Sequence, residues 1–289
     1  MTTQNTNSRP SGPGGAEWLF GIGMTFGQDS PAHGTMRSGP WMTGPDGAPN
    51  AAALGVLIDD TLTLAAVLRR PASHWLVTTE VSIDHVAPLP LDGRTLTSRG
   101  EIVSADSGGA LATGTIQDES GQALALMSLR SRYVPGVPEQ RPPGMTDPAL
   151  ADGPPAEEPA KPEYPEPERK SLLSMLDASL EPEDGQVKLR MPGDPFLGNL
   201  RGTLHGGIAL CASQLAASYW LPAEEGMSIA STRITYLRGL ELSGPVEFTA
   251  RPVHHGRTFR LIEVTSRTAS GKPATIATVS GYAGSARKS

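Results

Sequence analysis

Apolar and polar positions follow the same order twice along the chain. Residues 50–70, NAAALGVLIDDTLTLAAVLRR, are apolar on nearly every face of a helix, and so are residues 205–221, HGGIALCASQLAASYWL. A helix that is apolar all round predicts full burial rather than a place on the surface. Each run is followed by segments that alternate apolar and polar residues, with turn residues between them, as strands half covered by a core do. In the first half these are WLVTTEVSIDHV, TLTSRGEIVSA, ALATGTIQDES and ALALMSLRSRYV. In the second they are MSIASTRITYL, VEFTARPVHH, FRLIEVTSRTAS and PATIATVSGYA. Landmarks keep step as well. VSIDHVAPLPLDG lies over TRITYLRGLELSG, which sets Gly93 opposite Gly244, and DESGQALAL lies over TASGKPATIA, which sets Gly121 opposite Gly271. One long buried helix and an antiparallel sheet of about five strands, given twice, predict an internal duplication in an α+β chain.

Composition adds the boundaries. Residues 135–169 carry too many prolines and acids to form a packed core and are expected to be an interdomain linker. Residues 1–15 are polar and rich in Gly, Ser and Pro, the composition of a disordered tail. This leaves one expected domain at 16–134 and another at 170–285, which suits a chain of 289 residues. Lys and Arg number 24 against 30 Asp and Glu, a net charge of −6 with no basic patch, which argues against a nucleic-acid partner. A small anionic ligand is still within reach of a few arginines and helix N-termini. The single cysteine, Cys211, lies in an apolar run and is expected to be a buried thiol in a reducing, cytoplasmic setting. The start lacks the basic and apolar regions of a signal peptide, and no apolar run approaches the roughly 20 residues of a membrane span. No membrane partner is therefore expected.

The candidate chemistry begins at NLRGTLHGG, residues 199–207, at the entrance of the second helix. A helix N-terminus offers backbone N–H groups without intrahelical partners and the positive end of the dipole. Glycine there removes the side chain that would keep a ligand at a distance, and a carbonyl so placed is polarised as in an oxyanion hole. Plain structure explains the same residues equally well: Gly206 and Gly207 permit close packing, and His205 caps the helix.

The pattern N-x-x-G-[TI]-x-H-G-G ahead of a buried helix resembles the motif of hotdog acyl-CoA thioesterases of the phenylacetic-acid-degradation (PaaI) type. The matching residues are Asn199, Gly202, Thr203, His205, Gly206 and Gly207, and the likeness runs on through ITYLR (234–238) and HGR (255–257). The resemblance implies a double hotdog: two hotdog folds in one chain, each an antiparallel sheet wrapped around a long central helix. It also implies an acid nine residues after the histidine, where this chain has Gln214. A neutral amide is neither a general base nor a nucleophile at neutral pH. Nine residues of helix span about 13.5 Å, so such an acid serves the N-terminus of a neighbouring antiparallel helix. Paired hotdogs of the family resemble this arrangement.

Laid over the motif, the first half sets Asn50 on His205, Ala51 and Ala52 on Gly206 and Gly207, Gly44 on Asn199, and Asp59 on Gln214. The losses are complementary. One complete site would combine Asn199, His205, Gly206 and Gly207 with Asp59, and a dead one would hold Gly44, Asn50, Ala51, Ala52 and Gln214. Some members carry a Ser or Thr five residues before the I-[TD] landmark; the counterparts are Thr78 on the Asp59 side and Ile229 on the other. Asp59 stands inside ALGVLIDDTLTLAA, where an unpartnered buried carboxylate costs several kcal/mol. The plainer reading is a solvated helix position or a capping pair with Asp60.

The expected reaction is hydrolysis of an acyl-CoA or acyl-carrier thioester, with no cofactor. The carbonyl would accept a hydrogen bond from the Gly206 or Gly207 amide, and Asp59 would activate water or attack directly. Asn199 and Thr78 would position the water, and His205 would orient the loop or assist the leaving thiolate. Arg257 is a candidate contact for a CoA phosphate, or else an ordinary surface arginine. His254 and His255 lack partners at metal-binding spacing, so no metal site is expected. Hotdog enoyl-CoA hydratases resemble a different motif, G-D-x-N-P-x-H; here Asp194 lies eleven positions before His205, too far to match. A rival of another class is a non-catalytic acyl-CoA or acyl-carrier binding module with both sites eroded. Single hotdogs resemble dimers that pair again, so a homodimer is a further expected partner.

Overall fold

The structure, a computed structural model, describes residues 14–27, 30–136 and 169–284. The expected tail up to residue 13 and residues 137–168 of the expected linker lie outside the described residues. The first half contains α1 (Gly15–Phe20), β1 (Gly23–Gly27), β2 (Ser30–Arg37), α2 (Gly55–Val67), β3 (His74–His85), β4 (Thr95–Asp106), β5 (Gly109–Asp118) and β6 (Ala123–Pro135). The second contains α3 (Leu172–Met175), β7 (Ser179–Glu183), β8 (Gln186–Met191), α4 (Gly206–Ser218), β9 (Met227–Tyr236), β10 (Val246–His255), β11 (Phe259–Arg267) and β12 (Pro273–Ala283).

The twelve strands form one antiparallel sheet in the order β1-β2-β4-β5-β6-β3-β9-β12-β11-β10-β8-β7. Read outward from the middle, the two halves trace the same path. They join where β3 pairs with β9, and the pairs Val81–Ile234 and Ile83–Thr232 mirror each other across the junction. The eight strands expected from alternation are β3–β6 and β9–β12. The other four were not anticipated, because segments such as GMTFG and SLEPE are too short to show a period. They sit at the two ends of the sheet, where, among the described residues, the outermost strands β1 and β7 are each paired on one side.

The repeat extends to single hydrogen bonds. In the first half the Gly44 amide donates to Ala48 O (2.9 Å) and the Gly47 amide to Gly44 O (3.1 Å). In the second the Asn199 amide donates to Thr203 O (2.8 Å) and the Gly202 amide to Asn199 O (2.9 Å). Gly47 and Gly202 hold φ of 74° and 72°, a left-handed conformation that glycine adopts without strain.

Helices α2 and α4 are buried along nearly their whole length, each against the strands of its own half and against each other. Their crossing rests on two glycines. A Cβ on Gly55 would lie 2.6 Å from Gly207 O, and a Cβ on Gly207 would lie 2.5 Å from Val56 Cα. Only residues without side chains allow the backbones so close. Cys211, next to this crossing, is fully buried, and burial pushes its thiol pKa up. Pro71 and Pro222 stand shortly beyond the two helices, where proline cannot extend them. Among the described residues no helix is long and apolar enough to cross a membrane.

Candidate active site

The close crossing brings the middle of α2 to the first turn of α4. There the Gly207 amide donates to Asp59 Oδ2 at 2.8 Å. Asp59 is buried, and a Cβ on Gly206 would lie 2.6 Å from the same oxygen. The helix terminus thus faces the carboxylate with unpaired N–H groups and no side chain between. On the sequence the Gly207 amide was expected to be open to a carbonyl oxygen; in the structure Asp59 occupies it, drawn by the positive end of α4.

His205 caps α4. Its Nδ1 lies 3.1 Å from the Gly207 nitrogen and 3.5 Å from Asp59 Oδ2. Its Nε2 faces two further acids, Asp60 Oδ1 at 3.2 Å and Glu17 Oε1 at 3.9 Å. Tyr236 of β9 donates its hydroxyl to Gly206 O at 2.9 Å and pins the same turn. Thr63, one turn along α2, donates to Asp59 Oδ1 at 3.5 Å, and its hydroxyl is also 3.5 Å from that of Thr78 on β3. Thr78 therefore reaches Asp59 through Thr63.

Asn199 stands apart from the carboxylate. Its Oδ1 accepts from the Arg201 amide (2.9 Å) and the Thr203 amide (3.3 Å), and its Nδ2 donates to Thr203 Oγ1 (3.1 Å). These bonds shape the loop that delivers His205. Arg257 does not join the cluster. It is exposed on the β10–β11 turn, where His255 packs edge-on to Trp220 just past the C-terminal end of α4. The thirteen-residue helix separates it from Gly206 by about 20 Å.

Burial dominates the electrostatics. It raises the pKa of Asp59, and Glu17 adds to the rise, while His205, the Gly207 amide and Thr63 oppose it. Burial and the Glu17 charge likewise raise Asp60, against the pull of His205. Burial works against charge on His205, but Asp60, Glu17 and Asp59 together outweigh it and hold its pKa above the ordinary histidine range. In its charged form the ring carries a proton on both nitrogens, and Nδ1, 3.5 Å from Asp59 Oδ2, would then donate to Asp59 instead of accepting from the Gly207 amide.

The pseudo-symmetric position is neutral. Asn50 Oδ1 accepts from the Ala52 amide at 3.0 Å, as His205 does from Gly207. Gln214, fully buried, donates to Thr232 Oγ1 at 3.0 Å, and its Oε1 has no partner among the described residues. The hydroxyl of Thr232 went unnoticed in the sequence, and so did the roles of Thr63, Asp60, Glu17 and Tyr236. Asp60 could have been flagged as a second acid on an apolar helix. Glu17 carries no such signal. Glu17, Asp60 and His205 present ligand atoms within 4.8 Å of one another, so this trio is also the place where a cation could be held.

Residues 197–281 match the family model described as the acyl-CoA thioesterase N-terminal domain. Residues 9–128 match the one described as the acyl-CoA thioesterase C-terminal domain, so the two occur here in the reverse of their named order. A search of curated proteins gave no match. Solved structures agree in fold. The tesB protein of Mycobacterium avium subspecies paratuberculosis is similar over 88% of this chain and 93% of its own, with 11% identity and a TM-score of 0.57. An acyl-CoA thioesterase II of Mycobacterium marinum is similar over 94% and 99%, with 14% identity and a TM-score of 0.56. A hot-dog-fold protein of Alicyclobacillus acidocaldarius is similar over 90% and 96%, with 12% identity and a TM-score of 0.53. The chain is a hotdog-fold thioesterase, a thioester hydrolase in which each half matches an acyl-CoA thioesterase domain.

Proposed function

We propose that the chain is a double hotdog whose halves build one working site for the hydrolysis of acyl-CoA thioesters. One observation carries this reading: Asp59 from the first half meets the α4 N-terminus of the second at 2.8 Å, while the equivalent pair, Gln214 and Ala52, is neutral. The motif around His205, which resembles the PaaI type, supplies the helix-terminus side. On substrate binding the Gly207 amide turns from Asp59 to the thioester carbonyl, and Asp59 turns to a water. Asp59 takes the water proton as the new C–O bond forms, the C–S bond breaks, and His205 gives its proton to the departing sulfur. Asp59 returns the first proton to His205 across 3.5 Å, and free acid and thiol leave.

The test is thiol release from a panel of acyl-CoA esters, run beside the same acyl groups on a carrier protein. Turnover of the CoA esters at rates well above the carrier forms is expected; the opposite preference would replace CoA in this reading. Labelled water in a single turnover with excess enzyme should place the label in the product acid. Label found in Asp59 instead would make it the nucleophile.

Thr63 and Thr78 help hold the carboxylate. Thr78→Val is expected to lower kcat about 5-fold, the roughly 1 kcal/mol of one ordinary hydrogen bond. Thr78→Ser should restore most of the rate, and a valine variant with unchanged kcat would remove Thr78 from the site.

A further inference from the structure

Three carboxylates, Asp59 buried and Asp60 and Glu17 partly so, surround one imidazole, and the mechanism above uses only one of them. Asp60 Oδ2 and Glu17 Oε2 have no partner among the described residues, so neither acid is there to satisfy a structural hydrogen bond elsewhere. The duplication shows that the fold does not need them. Asp60 neighbours Asp59 as Leu215 neighbours Gln214. Glu17 corresponds to Leu173: the Glu17 carbonyl accepts from the Ile22 amide at 2.9 Å, and the Leu173 carbonyl accepts from the Ala178 amide at 2.9 Å. Positive φ follows in both places, at Gly21 and Asp177. Asp59, Asp60, Glu17 and His205 thus face Gln214, Leu215, Leu173 and Asn50. Within these four pairs every ionisable group sits on one side of the pseudo-symmetry, the side that holds the proposed site.

Glu17 arrives on α1, and α1 rests on the turn that carries His205. The Trp18 ring packs edge-on against Phe196, with centroids 5.5 Å apart. Asp194 caps that turn by accepting from the Phe196 amide at 2.9 Å, and Leu197 O accepts from the His205 amide at 2.9 Å. We propose that Asp60 and Glu17 are positioning residues of the thioesterase site, gripping His205 through Nε2 so that Nδ1 is held against Asp59. The inference rests on the roles given above to Asp59 and His205. Its physical content is a ring fixed at both nitrogens, with a proton kept available for the leaving sulfur. The charged groups that face His205 are Glu17 from α1 and Asp59 and Asp60 from α2, while the Tyr236 hydroxyl from β9 donates to Gly206 O on the same turn.

The experiment uses the full chain as wild type, Asp60→Asn, Glu17→Gln and Glu17→Asp. Side-chain nitrogen NMR follows the His205 titration, with the signal assigned by its loss in His205→Asn, and steady-state kinetics follow an acyl-CoA ester that the wild type hydrolyses. Asp60→Asn and Glu17→Gln should each lower the titration midpoint of His205, Asp60→Asn the more because it is closer. Each should lower kcat on the order of 10-fold with little change in KM, as expected when a reacting group loses alignment rather than binding. Glu17→Asp should recover part of both. A His205 titration unmoved by both neutral variants overturns the proposal. So does activity that a chelator abolishes and a divalent cation restores, which would make the trio a metal site. If Asp60→Asn fails to fold, Glu17→Gln, whose side chain is 29% exposed, decides alone. Should the wild type hydrolyse no thioester, the functional reading fails, and the NMR titration still tests the grip on His205.

Discussion

Asp59→Asn should yield a folded protein that hydrolyses thioesters on the order of 100- to 10,000-fold more slowly, the usual worth of a general base. Asparagine keeps the shape and an oxygen to accept from the Gly207 amide, and it loses only the charge. Stability should not fall. Burial raises the Asp59 pKa above its unfolded value of 3.8, so the folded state binds this proton more tightly than the unfolded chain does. Below pH about 4 both states are protonated and the aspartate costs nothing. As pH rises past that point the unfolded chain ionises first, and stability drains away until the folded carboxylate ionises too. Thermal melts at pH 7 should therefore place Asp59→Asn level with or above the wild type, and the difference should vanish near pH 4. A variant that melts several degrees lower at pH 7, or one that keeps full activity, would remove Asp59 from the centre of the site.

Periodicity carried much of the fold into view. The helices at 50–70 and 205–221 and the eight longer strands rest on patterns of ten residues or more. The outer strands and α1 rest on five to eight residues, runs too short for a local pattern to mark them. The approach of Asp59 to the α4 N-terminus was legible because a fixed spacing on antiparallel helices implies it. The crossing glycine Gly55 was not, since a glycine inside an apolar run shows its purpose only when a second backbone lies against it. Glu17 is silent for a related reason: a single acid on a short helix becomes part of a site only through the way α1 docks. Arg257 stood open between a CoA phosphate contact and an ordinary surface arginine, because a turn motif does not say what its side chain will face. The expected Pro-rich linker spans residues beyond those described, except at Pro135, Gly136 and Arg169. Arg169 donates to Leu19 O at 2.8 Å and so ties the start of the second half to α1.

Adjacent glycines at the start of α4 should respond to the same substitution in opposite ways. In Gly207→Ala the new methyl would lie 2.5 Å from Val56 Cα, 2.8 Å from Gly55 O and 3.0 Å from Val56 N. All three are backbone atoms and none can swing aside, so the helices must part. The expected cost is about 1–3 kcal/mol, seen as a melting temperature lower by roughly 2–10 °C. In Gly206→Ala the atoms nearest the methyl all belong to the Asp59 carboxylate, the first at 2.6 Å, and a side chain can move. Stability should then stay within about 2 °C, while kcat falls on the order of 100-fold, because Asp59 is displaced by about 1 Å from the helix terminus. The contrast separates packing from chemistry at neighbouring positions. Equal losses of stability in both variants would mean that Gly206, like Gly207, serves only the helix crossing. Full activity in Gly206→Ala would mean that Asp59 works from some other position than the one it holds against α4.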